Sequence, residues 1–267
     1  LLQVRQNRQR RLYDARIAKA RRLRWVSNDS EVILGPPVIP ACKPPSFTPT
    51  YMMGDVSGRF HIFLSHVWGS GQDQMRVVKQ RLIEMLPDAT VFLDVDDLAE
   101  GKGAEYVDVS QISLIFVSAG YFISENCMRE LLRALVTGKP IVTLVESEAK
   151  HGGMTDEAVR MDLEEADAPC KIHDTNHASK YAMWGLDKEV ESWGYAMPNA
   201  AALYAALFED AVTVVEWNRL GAFQDVTLRL VAEAMLPEVG SGKEARTYLQ
   251  DELRRADVSL PKPRNGL

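Results

Sequence analysis

Phe60 to Leu86 reads FHIFLSHVWGSGQDQMRVVKQRLIEML, and its two halves follow different periods. Phe60 to His66 is a short apolar run rich in strand formers. Gly69-Ser70-Gly71 interrupts it as a turn, after which Met75, Val78, Leu82 and Met85 recur on one helical stripe. The reading is strand, turn, helix. Thr90 to Val95 (TVFLDV) and Ser113 to Ser118 (SLIFVS) are two further strands. Cys127 to Thr137 is a helix with Met128, Leu131, Leu132 and Leu135 facing in, closed by Gly138 with Pro140 beyond, and Ile141 to Val145 is a fourth strand. Val212 to Val215 supplies a fifth strand and Arg219 to Leu236 a closing amphipathic helix. Strands that are continuously apolar and separated by helices must be covered on both faces. The expectation is therefore a doubly wound α/β domain with a five-stranded parallel sheet, flavodoxin-like, over residues 60–236.

Working outward, residues 146–211 are less regular and read as an enlarged insertion. Thr155 can cap a helix running to about Asp167, Lys180 to Gly194 is a further helix, and Asn199 to Phe208 an alanine-rich one. Upstream, residues 35–59 form a proline-rich linker, with six prolines between Gly35 and Pro49. Before it, Leu1 to Trp25 carries nine Lys or Arg against Asp14 alone, with no Gly or Pro, so residues 1–34 read as a basic, mostly polar helical arm. Residues 237–267 hold a last helix candidate, Lys243 to Ala256, and a tail outside the core.

With 46% hydrophobic and 25% charged residues the composition is that of an ordinary globular chain. Cys42, Cys127 and Cys170 are too few and odd in number for a disulfide framework, which points to a reducing compartment, the cytosol by default. No apolar run approaches the roughly eighteen residues that span a bilayer, and no signal peptide opens the chain. Since the sequence starts at Leu1 rather than Met, it reads as a piece of something longer. The basic arm is then a solvated helix, a juxtamembrane segment facing anionic lipid on the cytosolic side of a membrane protein, or a docking element of a larger assembly. Net charge is −6, leaving −14 beyond the +8 arm, and this acidic remainder disfavours nucleic acid as a partner.

In an open parallel sheet the ligand crevice lies beyond the carboxyl ends of strands at the point where successive crossovers leave on opposite faces. That rule brings together Ser65, His66 and Trp68 from the first loop, Asp94 to Lys102 from the second, and Ser118 to Glu130 from the third. Several constellations in and around them carry no chemistry. Ser65 and His66 adjoin on a strand and so point to opposite faces, which excludes a hydrolase pair. Cys170-Lys171-Ile172-His173 with His177 lacks a second cysteine pair for zinc, and no metal is expected. Asp94, Asp96 and Asp97 do not make a phospho-receiver, because the end of the third strand holds Ser118 where the phosphorylated aspartate belongs.

Three stretches carry a family resemblance. IFLSHVW (62–68) resembles the opening strand of Toll/interleukin-1 receptor (TIR) domains, FLDVDDLAEGKG (92–103) their second strand and BB loop, and NCMRELLRAL (126–135) the helix bearing the family's catalytic glutamate. The BB-loop stretch is similar to that of the animal axonal TIR NADase, and SHVWGSGQDQ (65–74) with WNRLGAFQD (217–225) to algal and oomycete TIR-like proteins. The match is good from Phe60 to Val145 and thin beyond. The resemblance implies one of two roles: cleavage of NAD in signalling or defence, or non-catalytic homotypic adaptor contacts. In the first, NAD is the substrate and Glu130 the catalytic carboxylate. Trp68 and His66 line the base or ribose pocket together with Ser65 and Asp94, and Lys102 and Ser118 lie near phosphates. Glu130 as an ordinary exposed acid at a helix start is the plain alternative. In either role the BB loop, Asp94 to Gly103, implies self-association. Two departures stand out: Asn126 occupies the place where many active members carry tryptophan, and the acid of the loop is shifted to Glu100.

Overall fold

The structure of the chain, a computed structural model, describes residues 20–41, 58–93, 103–172, 175–236 and 247–250, together with Arg11 and Ala15. In chain order the elements are β1 (Leu23–Trp25), β2 (Phe60–Ser65), α1 (Trp68–Met85), β3 (Val91–Phe92), α2 (Glu105–Asp108), β4 (Ser110–Val117), α3 (Glu125–Val136), β5 (Ile141–Glu146), α4 (Asp156–Asp167), β6 (Cys170–Ile172), β7 (Thr175–His177), α5 (Lys180–Trp184), α6 (Leu186–Ser192), α7 (Ala200–Phe208), β8 (Thr213–Trp217), α8 (Gly221–Ala234) and β9 (Thr247–Leu249). Five strands pair in the order β3-β2-β4-β5-β8, every neighbour parallel. The molecule is thus the doubly wound, flavodoxin-like α/β fold that the alternation of periods predicts.

The side-chain alternation of each strand divides the core in two. Ile62, Leu64, Ile112, Leu114, Phe116, Val142 and Leu144 face α1 and α8, whereas Phe63, Ile115, Val117 and Ile141 face the layer of α2 to α7. Helix α1 leaves β2 on the first face and α3 follows β4 on the second. The switch point therefore lies between β2 and β4.

The helix over 180–194 is broken by Gly185, whose φ of +75° suits glycine, into α5 and α6. Thr155 and Asn199 cap α4 and α7 as their positions predict, accepting from Ala158 N–H and Ala202 N–H. Gly69-Ser70-Gly71 is not a connecting turn but the opening of α1, which starts at Trp68. Gly71 is required there, because a Cβ at that place would stand 2.9 Å from His66 Cβ and 3.0 Å from Phe116 Cδ1. The absent side chain lets the helix lie directly on the first strand.

Both flanks depart from expectation. Leu23–Trp25, read as the end of a helical arm, is a strand, and Thr247–Leu249, inside the last helix candidate, pairs with it antiparallel. The physical reason is burial: Leu23 and Leu249 are fully enclosed, and with Val32 and Leu34 they join the α1/α8 side of the core. The expected separation of arm, linker and tail from the domain fails at these residues. The arginines are likewise bound to the body: Arg21 pairs with Asp225 at 2.5 Å, and Arg22 donates to the Glu84 carbonyl at 2.6 Å. His61 fastens the linker, its Nε2–H donating to the Gly35 carbonyl at 2.8 Å while Nδ1 accepts from Thr90 N–H at 3.0 Å. No described helix is long and apolar enough to cross a membrane.

Candidate functional site

Glu130 stands midway along α3, a helix capped by Ser124 and held against β2 by Met128, Leu131 and Leu132. The helical period puts residue 130 away from the leucine stripe and in line with Cys127 and Ala134, both of them buried. The side chain is only 9% exposed, so the reading of an open helix-start acid is overturned. Ser65, the last residue of β2, donates its hydroxyl to Glu130 Oε2 at 2.6 Å. The phenol of Tyr121, in the turn after β4, lies 2.6 Å from the same serine oxygen and 3.3 Å from the Cys127 carbonyl. Ser65 gives its one proton to Glu130, and the Tyr121 hydroxyl is shared between the serine oxygen and the Cys127 carbonyl. Tyr121, Ser65 and Glu130 are thus linked in one chain. Burial, above all, pushes the Tyr121 phenol well above its usual range; neighbouring Cys127 and Glu130 add to this, and the hydrogen bond to Ser65 opposes it. The tyrosine therefore stays protonated and able to donate. Glu130 Oε1 faces Gly103, whose Cβ, if present, would sit 3.4 Å away.

The preceding residue on α3, Arg129, holds the helix in place. It pairs with Glu105 of α2 at 2.7 Å and with Glu189 of α6 at 2.6 Å. Although burial raises the Glu105 carboxyl, the hydrogen bond and charge of Arg129 outweigh it and bring the group below its ordinary value. Lower on the same helix Arg133 makes a paired contact with the fully buried Asp108, at 3.0 and 2.8 Å, and stacks 5.0 Å from the Trp193 ring centroid. These links fix the axial position of α3, and with it the glutamate.

The other residues singled out in the sequence separate into three groups. Ser65 and Glu130 come together at the carboxyl edge of the sheet. His66 is buried on the opposite face beneath Gly71, with Nδ1 3.4 Å from the Leu64 carbonyl, and Ser118 is wholly enclosed, its hydroxyl 3.0 Å from Ser70 Oγ. Both side chains pack where α1 meets the strands. Asp94 and Lys102, with the BB-loop stretch before Gly103, lie outside the described residues. Trp68 is 62% exposed and lines a separate cleft of about 540 Å³, between the start of α1, the turn at Ala149–His151 after β5, and Arg219 after β8. Glu130 does not line this cleft. Sequence reasoning missed Tyr121, which lies within the weighed Ser118 to Glu130 stretch without a motif to mark it, and Lys150 and Arg219, whose loops after the fourth and fifth strands also open at the carboxyl edge but were not weighed.

Among the described residues no group of three or more His, Cys, Asp or Glu is placed to hold a metal ion. Cys170 and His177 do face each other across the β6-β7 pair, without further ligands among the described residues. No family model matches the chain, and no curated protein matches it.

Proposed function

We propose that the chain is a TIR-type NAD glycohydrolase in which Glu130 works on the nicotinamide N-glycosidic bond. The observation that carries this reading is a nearly enclosed carboxylate at the switch point of a parallel sheet, oriented by Ser65 at the end of the first strand. A carboxylate beside the nicotinamide ribose stabilises the oxocarbenium-like state that forms as the bond breaks. Nicotinamide leaves without needing a proton, so one carboxylate suffices. Serine donation to Oε2, with Tyr121 packed on the same serine oxygen, orients the carboxylate at the carboxyl edge of the sheet. The reading also supposes self-association, with the BB loop of a neighbouring copy completing the site.

The test is release of nicotinamide from NAD by concentrated or clustered protein, native against Glu130→Gln. Loss of one electrostatic stabiliser in an enclosed site lowers turnover by about 100-fold or more, and equal rates in the two proteins would refute the proposal. A second reading, the non-catalytic adaptor, is favoured by one observation: Ser65 already satisfies Oε2, as it would for a purely structural acid. No release under conditions that produce assemblies would decide for the adaptor.

A further inference from the structure

We infer that the chain forms a two-fold dimer in which β8 of one copy pairs antiparallel with β8 of the other, joining the two five-stranded sheets into one. The inference goes beyond the glycohydrolase reading and rests on neither Glu130 nor the BB loop. Val212, Val214, Leu220, Phe223 and Val226 are five of the twelve large apolar side chains exposed among the described residues, and they fall within fifteen positions of chain, at β8 and the start of α8. Strand β8 is the last of the sheet, paired with β5 on one side and with no described segment on the other. Edge strands are ordinarily kept from pairing by lysine, proline, a bulge or a cover. Ala211 to Trp217 (AVTVVEW) has no lysine, proline or glycine, and its ladder with β5 runs unbroken from Thr213 to Trp217.

The hydrogen-bonding pattern of the edge says what fits it. Ser113 N–H donates to the Pro140 carbonyl at 3.0 Å, so alternate residues of β5 turn their backbone groups to β4 and the others, Thr143 and Val145, turn theirs to β8. Thr143 stands beside Val214 and so bonds to Thr213 and Val215, which leaves the N–H and C=O of Val214 and the N–H of Glu216 on the free side. The Glu216 carbonyl lies there too, but it already accepts from the Thr227 hydroxyl at 2.9 Å. A two-fold axis at Val214 matches this set, because each Val214 exchanges both bonds with its symmetry mate and Glu216 lies opposite Val212. One step along, Val214 would need the occupied Glu216 carbonyl. Two steps along, the two Glu216 side chains would be opposed, which is unfavourable. The occupant is therefore a second copy, since the free groups of this strand are complementary to themselves. Charge agrees: antiparallel pairing carries the acidic Glu209-Asp210 turn of each copy to the end of the other's strand, where Arg219 follows. On the face above, Asp225 of α8 is turned toward α1 by Arg81, whereas Thr227 is turned toward β8. Phe223, one turn before Thr227, shares its side, with Leu220 before it and Val226 beside it. These apolar side chains overhang the edge and cover those of the other copy's α8.

The experiment is sedimentation velocity of the whole chain over a range of concentrations, joined to disulfide trapping. The native chain is expected to dimerise with a Kd of about 100 μM or below. Val214→Lys sets two ammonium groups face to face at an exposed position, and it should weaken the dimer by about tenfold or more while leaving the thermal transition of the fold unchanged. Val214→Cys should form an intermolecular disulfide on oxidation, beyond any that the native chain forms, since a hydrogen-bonded antiparallel pair sets its Cα atoms about 5.5 Å apart. Met161→Cys, exposed on α4, should not. A chain that stays monomeric, a Val214→Lys variant that associates like the native one, or cross-linking as efficient through Met161→Cys as through Val214→Cys overturns the inference. Growth into larger species that Val214→Lys leaves untouched overturns it as well, because the contacts would then lie elsewhere. Glu130→Gln should dimerise like the native chain, so a failure of the glycohydrolase reading leaves this result unmoved.

Discussion

Replacing Gly71 by alanine tests how closely α1 must approach the first strand. The new methyl would meet His66 Cβ at 2.9 Å, Phe116 Cδ1 at 3.0 Å and His66 Cδ2 at 3.3 Å. Neither partner is the free end of a long side chain: His66 is 3% exposed and Phe116 wholly buried, so the contact is relieved only by moving helix or strand. Overpacking of this kind costs about 1–3 kcal/mol. Two residues earlier, a Cβ on Gly69 would meet nothing within 4 Å. Both substitutions exchange glycine for a better helix former near the same helix end, a gain of up to about 1 kcal/mol. Comparing the two variants cancels that shared gain and isolates the steric cost. The expected outcome is Gly69→Ala at or slightly above native stability and Gly71→Ala below it by about 1–3 kcal/mol. A gap of about 2 kcal/mol corresponds to roughly 4–8 °C in Tm for a domain of this size. Urea unfolding followed by circular dichroism measures it. Midpoints that coincide would refute the close approach, and with it the position assigned to the start of α1 over the strand.

The remaining predictions concern the flanks and pH. Leu23→Ala and Leu249→Ala each remove a fully buried leucine and should destabilise the whole domain by about 2–5 kcal/mol; an unchanged thermal transition would show that the flanks are independent of it. Burial lowers the pKa of His61, with the Gly35 hydrogen bond and Asp88 opposing, so the unfolded chain takes up this proton before the folded one does. Its contribution to stability is then complete above a pH of about 6.5 and declines as the pH falls through that value until the folded state titrates. His61→Gln should flatten that decline in urea midpoints recorded across the range; an unaltered slope would contradict the assignment.

What could be read from the sequence, and what could not, follows from the range of the interactions involved. The sheet was legible because burial on both faces imposes unbroken apolar strands, and α4 and α7 because Thr155 and Asn199 announce their own starts. Glu130 was legible by resemblance, but its enclosure was not, since that depends on Ser65 and Tyr121 meeting it across 65 and 9 positions of chain. His66 and Ser118 were assigned to a pocket because topology places their backbones at the crevice; which side of the sheet a side chain takes is a finer matter, decided by Gly71 and Ser70 packing over them. The flanking strands were illegible for the opposite reason. Leu23-Arg24-Trp25 is too short to show a period, and its partner lies more than 220 residues away. Local charge favoured a helix, and burial of Leu23 against Leu249 prevailed.

That distant pairing has a mechanical consequence. In the antiparallel register Leu23 faces Leu249, and Gln250 N–H donates to the Arg22 carbonyl just beyond, so the chain enters and leaves the domain at the same end of the small ribbon. Tension applied through the two exits would open the ribbon like a zip, one bond at a time, rather than loading its bonds together in shear. Leu23 and Leu249 would lift from α8 while the five parallel strands stayed intact, so a modest pull suffices to bare the surface they cover.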